Sequence, residues 1–136
     1  GETDFDQSYY FPIETISIPD IKGNKANYIY SKTYTGNGKL YGYFNVPGYG
    51  SNPPDYVNDK SMQTFEIDVY NKTVKKMNFD GTTGWSCSQC KAGDYMVFGM
   101  ASTQGTGYYL YNYKEDKYEP LKIKTEGNPF KIQYLK

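Results

Sequence analysis

The clearest alternation of apolar and polar positions begins near residue 62. Phe65, Ile67 and Val69 alternate with Glu66, Asp68 and Tyr70, the period-two pattern of a strand with one face turned to a core. Asn71 to Thr73 supplies a turn, and Val74, Met77 and Phe79 continue the apolar side on a second strand, so the pattern predicts a hairpin. The same text then recurs. A shift of 44 residues lays Phe65, Ile67 and Val69 on Tyr109, Tyr111 and Tyr113, Asp68 on Asn112, Val74 on Tyr118, Met77 on Leu121 and Phe79 on Ile123. Upstream of each hairpin lies another strand, residues 39 to 46 and 94 to 101. These match at a shift of 54, which implies a loop ten residues longer in the first copy. Variation of one loop in a recurring unit is the habit of repeat proteins.

A period of roughly 40 to 50 residues with three or four short strands per unit is the pattern of propeller blades. A lone four-stranded sheet cannot cover both of its faces, so such sheets stack and bury one another. The expected fold is therefore all-β, about two four-stranded antiparallel blades of an incomplete β-propeller with a seven-bladed parent. Residues 1–26 would end a preceding blade, 27–83 and 84–128 would form the two blades, and 129–136 would open or close another; the outer strand of the preceding blade is expected over 5–18 and the first strand of the following one over 129–135. Three readings of an incomplete ring stay open: a piece of a longer protein, a unit that assembles with other copies, or a β-sandwich of similar pattern.

Composition agrees with strands and narrows the chemistry. The chain carries 17 Tyr, 7 Phe and 14 Gly in 136 residues, residue types that favour pleated surfaces and tight turns. Its 15 cations balance 15 acids, so no net field draws it to nucleic acid. Every cation is Lys, which removes the planar fork of Arg. There is no His, hence no Ser-His-Asp or Cys-His constellation and no His-bearing metal site. Neither catalytic residues nor a cofactor are expected, and a carboxylate pair is the one route left to an enzyme. No stretch approaches about 18 consecutive apolar residues. Cys87 and Cys90 form a Cys-Ser-Gln-Cys unit. It reads as a short-loop disulfide, with an oxidising compartment, or as two idle thiols. A redox motif wants a βαβ setting, and zinc wants further ligands.

The opening Gly-Glu-Thr-Asp-Phe-Asp-Gln-Ser-Tyr-Tyr-Phe-Pro-Ile-Glu, the Thr-Gly-Asn-Gly-Lys stretch over 35–39, the strand Thr-Phe-Glu-Ile-Asp-Val-Tyr-Asn-Lys-Thr-Val over 64–74, Tyr-Leu-Tyr-Asn-Tyr over 109–113 and the closing Phe-Lys-Ile-Gln-Tyr-Leu-Lys together resemble the C-terminal part of a family of exported propeller lipoproteins. These occur in Bacteroides-type bacteria, often beside TonB-dependent receptors. The resemblance implies an outer-membrane surface or periplasm-facing lipoprotein that captures a nutrient for the receptor, a ferric siderophore in one branch. The family's anchoring Cys near the mature N-terminus has no counterpart here, which implies that N-terminal blades are absent. The implied partners are the remaining blades, the receptor, and a siderophore or glycan.

The blade pattern sends four connections to one end: Pro47 to Ser61, Asp80 to Gly84, Ser102 to Gly107, and the turn at Gly127 and Asn128. Tyr49, Tyr56, Asn58 and Lys60 lie on the longest, and Trp85 follows the second. Aromatic faces with ammonium groups suit a flat-ringed anionic iron complex, and exposed Tyr and Trp suit a glycan equally well. Trp85 is expected first to pack between blades. Smaller signals fold into turns: Gly36-Asn37-Gly38 is a turn without phosphate-loop context, Asn71-Lys72-Thr73 is a turn that also fits a glycosylation sequon, and Asp4, Asp6 and Glu14 do not match a calcium loop.

Overall fold

A computed structural model describes residues 26, 28–55 and 57–124. The strands expected over 5–18 and 129–135, the turn at Gly127 and Asn128, the three N-terminal acids and Tyr56 lie outside the described residues.

The described residues are all-β, with eight strands in two sheets. β1 (Tyr28–Gly36), β2 (Lys39–Asn45), β3 (Met62–Asp68) and β4 (Thr73–Lys76) form the first sheet; β5 (Cys87–Ala92), β6 (Tyr95–Ser102), β7 (Gly105–Asn112) and β8 (Lys117–Lys124) form the second. Both are antiparallel meanders in the order of the sequence, and neither closes on itself. The periodicity located β2, β3, β4, β6, β7 and β8; β1 and β5 are the additions. β1 is tied to β2 by the Gly36-Asn37-Gly38 turn, where all three residues have positive φ, the backbone that Gly and Asn tolerate. Its approach is close. A Cβ on Gly42 of β2 would sit 2.0 Å from the Ser31 carbonyl oxygen.

The two sheets are copies in fine detail. Asp68 and Asn112, paired by the 44-residue shift, do the same work: Asp68 Oδ1 accepts the Asn71 N–H at 3.0 Å, and Asn112 Oδ1 accepts the Glu115 N–H at 3.0 Å. Lys72 and Asp116, also paired, both adopt φ 55°. The upstream strands need a correction. Leu40 pairs with Ile67, and Met96 pairs with Tyr111, so Leu40 corresponds to Met96, two residues beyond a shift of 54. The first copy's loop is longer by the same two residues. The outer hairpin is also shorter than expected. β4 stops at Lys76, whose ammonium donates to the Met77 and Phe79 carbonyls at 3.0 and 2.8 Å, and after a last bond from the Met77 N–H to the Thr64 carbonyl at 2.8 Å the chain leaves the sheet.

The Met77 and Phe79 side chains enter the core between the sheets. Tyr41, Tyr43, Met62, Met77 and Phe79 pack there with Met96, Phe98, Met100, Tyr109 and Tyr111, all at most 4% exposed. Phe79 meets Phe98, Tyr109 and Tyr118 edge-on, with ring centroids 5.9, 5.8 and 5.0 Å away. Burying each such side chain contributes roughly 1.5–3 kcal/mol. The opposite face of the first sheet carries its own core, in which Phe44 stacks on Phe65 at 4.5 Å beside Val46, Ile67 and Val74. The faces are informative. Tyr109 and Tyr111 look toward the first sheet, yet their counterparts Phe65 and Ile67 look away from the second. The copies therefore stack in one sense, front to back, and are not mirrored across a shared interior.

Polar bonds lock the stack. Tyr43 is fully buried, and its hydroxyl donates to the Ser88 and Gly99 carbonyls across the interface at 2.9 and 3.2 Å. Gln89 Nε2 donates to Thr33 Oγ1 and the Tyr41 carbonyl at 2.7 and 3.1 Å. Tyr43→Phe should keep the fold and lower the unfolding free energy by about 1–2 kcal/mol, since two carbonyls lose a buried donor; denaturant titration measures this. A second expectation concerns acid. The Asn71 backbone N–H, then its side-chain amide, with Lys39 adding to them, hold the Asp68 carboxyl at about 2 instead of 3.8. Its contribution is present above about 3.8 and is lost as the pH falls through about 2. Asp68→Asn should preserve the turn, as Asn112 does, and flatten the acid limb of a plot of Tm against pH.

Candidate functional site

Among the described residues the 16-residue connection from β2 to β3 is the largest departure between the copies, and it stands at the end of the stack where the linker between the sheets passes. Its base is closed by the Val46 N–H donating to the Ser61 carbonyl at 2.9 Å. A single 3₁₀ turn, Pro47–Tyr49, opens it, with Pro at the first position where a missing N–H costs nothing. Two carboxylates then hold the rest. Asp59 Oδ2 accepts from the Ser51 N–H at 2.9 Å, the Ser51 hydroxyl at 3.1 Å and the Asp55 N–H at 2.9 Å. Asp55 accepts from the Val57 and Asn58 N–H groups, both at 3.1 Å, and from Asn58 Nδ2 at 2.9 Å. These donors stabilise the charged forms, so both carboxyls lie below their ordinary value: the Asn58 side chain is the chief cause for Asp55, and the Ser51 N–H for Asp59.

The linker meets the loop's far end. Met62 and Thr82 exchange backbone hydrogen bonds at 3.2 and 2.9 Å. Gly81 fits against the loop because it has no side chain: a Cβ there would lie 2.3 Å from the Lys60 carbonyl oxygen. Thr82 Oγ1 donates to the Ser86 carbonyl at 2.8 Å and accepts the Ala101 N–H at 2.8 Å, joining the linker to β6. Between loop and linker lies a cavity of about 400 Å³, with Asn45, Ser51, Asp59, Ser61, Met62 and Gly84 on its wall.

Of the residues the sequence nominated, none that the structure describes lines this cavity. Tyr49 packs against the core on the far face of the first sheet. Asn58 is exposed and engaged with Asp55. Lys60 is half-buried, and its carbonyl accepts from Gln63 Nε2 at 3.1 Å. Trp85 was expected between the sheets and is instead 59% exposed, immediately after Gly84 on the cavity wall. Asn45, Ser51 and Asp59 were missed. The signal for them is the turn-forming Ser-Asn-Pro-Pro-Asp text, which reads only as loop stiffening until the loop's folding is known.

Ammonium and aromatic groups do meet, but at the opposite end of the stack. A cleft of about 320 Å³ between the sheets is lined by Lys39, Tyr41, Glu66, Lys75, Tyr111 and Lys114, among others. Its charges are largely spent on one another. Glu66 accepts from Lys39 at 3.1 Å and from the Tyr41 hydroxyl at 3.0 Å, with Lys75 at 3.6 Å, and Lys39 also reaches Asp68 at 3.1 Å. Burial alone would lower Lys39, yet Asp68 and Glu66 outweigh it and raise its pKa. Burial, then the Glu66 charge, pushes Tyr41 well above the phenol range.

The disulfide reading needs correction. Cys87 and Cys90 are both free and sit three residues apart on the extended β5, opposite Met100 and Val97. An extended strand advances roughly 3.3 Å per residue and alternates its faces, which holds the two sulfurs too far apart to bond. Burial pushes the Cys87 thiol up to about 11 and raises Cys90 as well. Among the described residues no group of three metal-ligating side chains occurs. Iodoacetamide should therefore label both cysteines in denatured, unreduced protein, and in the folded chain Cys87 should react slowly at mildly alkaline pH, because the thiolate is the reactive form. Mass spectrometry reads both outcomes.

No protein-family model, curated protein or solved structure matches the chain.

Proposed function

We propose that the chain is a non-enzymatic ligand-binding unit, two neighbouring blades of a β-propeller, whose site is the cavity beneath the β2–β3 loop. The observation that carries this reading is the stacking sense of the two copies. Sheets that pack front to back leave a front open at one end of the stack and a back at the other, so that a further copy fits at either end, as with blades around an axis, whereas a sandwich turns equivalent faces inward. The connectivity supports it: each sheet is a four-strand meander, and the linker runs from the outer strand β4 to β5, which lies against β1. The outward face of the second sheet carries half-buried Tyr95, Val97, Tyr108 and Leu110, suited to a further blade.

A binding role rests on the contrast between the copies. Where the second sheet joins β6 to β7 with a two-residue turn, the first builds a braced loop over a cavity. Loops carried on a rigid scaffold are where binding resides. Asp59, the carboxylate on the wall, is already committed to holding the loop, which suits recognition better than proton transfer. The resemblance to exported propeller lipoproteins extends this to nutrient capture at the bacterial surface for a TonB-dependent importer, with siderophores and glycans as the ligand classes.

A panel of ferric siderophores and oligosaccharides, followed by thermal shift and by backbone amide NMR, tests the reading. A ligand should raise Tm and move the amides of residues 45–62 and 81–86 while leaving the opposite cleft unchanged. A panel that moves none of those amides, with the importer receptor retained on the immobilised chain, would favour a docking module.

A further inference from the structure

The hairpin turn between β1 and β2 holds a reactive step. Asn37-Gly38 is the one Asn-Gly pair in the sequence, and glycine leaves the nitrogen that follows Asn37 without a side chain to shield it. Asn37 is exposed, and the two residues hold positive φ, 54° and 73°. Two tyrosines fasten that nitrogen's surroundings. The Gly38 N–H donates to Tyr34 Oη at 3.0 Å, and the Tyr70 ring lies so close over Gly38 that a Cβ there would stand 2.5 Å from it. Tyr34 is itself 53% exposed, so water competes for the same hydrogen bond. The Gly38 carbonyl accepts the Val69 N–H at 2.8 Å, which ties the turn to the end of β3. Asn37 also stands on the wall of the cleft that Lys39, Lys75 and Lys114 share, at the far end of the stack from the loop-end cavity.

We propose that Asn37 is a self-modification site, at which the carboxamide converts to a carboxylate through the Gly38 nitrogen at a rate set by Tyr34. The Gly38 N–H gives its proton to water or hydroxide, and the nitrogen bonds to Asn37 Cγ. The Cγ–Nδ2 bond breaks, and Nδ2 takes up a proton and leaves as ammonia. Water then opens the cyclic imide. Cleavage of the nitrogen's bond to Cγ gives aspartate; cleavage of its bond to the backbone carbonyl carbon gives isoaspartate, whose chain runs through Cβ. The net change is one water in and one ammonia out. While Tyr34 accepts the Gly38 N–H, the proton and the nitrogen are held in the turn, so the first step waits for the turn to open. Aspartate keeps the backbone and adds a negative charge beside the three lysines. Isoaspartate lengthens the backbone inside a turn of three positive φ values, and so loosens β1, the strand whose Thr33 takes the Gln89 amide across the stack.

Peptide mass spectrometry of the full chain, aged at mildly alkaline pH in buffer and in parallel in urea, tests this. Conversion at Asn37 should be slow in the folded chain and fast in urea. Tyr34→Phe should speed it in buffer by roughly fivefold, the factor that one hydrogen bond is worth, and leave the rate in urea unchanged. Asn37→Asp, which adds the charge alone, should melt close to the parent, whereas protein enriched in isoaspartate should melt lower. Asn71, exposed on the β3–β4 turn, is the reference for global opening. A gain in Tyr34→Phe that Asn71 shares in equal measure would overturn the role of Tyr34, as would equal rates for Tyr34→Phe and the parent in buffer. An Asn37 that stays intact in urea would overturn the site itself. Each of these outcomes leaves the loop-end cavity and its ligand panel untouched.

Discussion

Phe79 belongs to neither sheet, and the arrangement of both depends on it. A four-stranded sheet made of alternating side chains has two faces to account for, and the first sheet here is apolar on one and mixed on the other. Its mixed face, with Lys39, Glu66 and Asp68 at one end and Tyr41, Tyr43 and Met62 toward the other, cannot be left in water or buried indiscriminately. The chain resolves this by ending β4 early and folding the linker back, so that Met77 and Phe79 fill the space that the short outer strand leaves open. Three rings of the second sheet then close on Phe79. The linker's next residues follow from this placement. Gly81 and Thr82 are delivered against the end of β3, and Gly84 reaches the cavity wall.

The two ends of the stack differ in what answers their charges. Where the Lys39, Glu66 and Asp68 side chains gather, opposite charges satisfy each other inside a partly enclosed cleft, an arrangement that fixes geometry more than it adds stability. Where the long loop folds, carboxylates are answered by backbone N–H groups instead. Backbone donors cannot swing away as lysines can, so the loop holds a shape with few apolar contacts of its own.

Much of this was legible in residue order. The repeat of Phe65, Ile67 and Asp68 in Tyr109, Tyr111 and Asn112 located both outer hairpins, and it was sound enough to extend to turn dihedrals. β1 and β5 escaped because they are polar: Cys-Ser-Gln-Cys-Lys-Ala has no apolar alternation, and its strand character comes from pairing with β6. That same pairing undoes the disulfide, a bond that short cysteine spacing suggests only while the segment is thought to be a loop. The site was harder to read. Tyr49, Asn58 and Lys60 do lie on the long loop, but a loop of this length folds through hydrogen bonds between distant positions, Ser51 with Asp59 above all, and no local pattern announces which side chains will turn inward. Trp85 went the other way because size argues for burial, while its place after a glycine turn argues for exposure.

The aromatic plug also sets an angle. Because Phe79 occupies the gap on the outer side, beyond the short β4, while β1 and β5 run close together, its bulk fixes how widely adjoining sheets splay. Trimming or enlarging this one side chain would thus tilt one sheet against the other, with no change to the pairing within either.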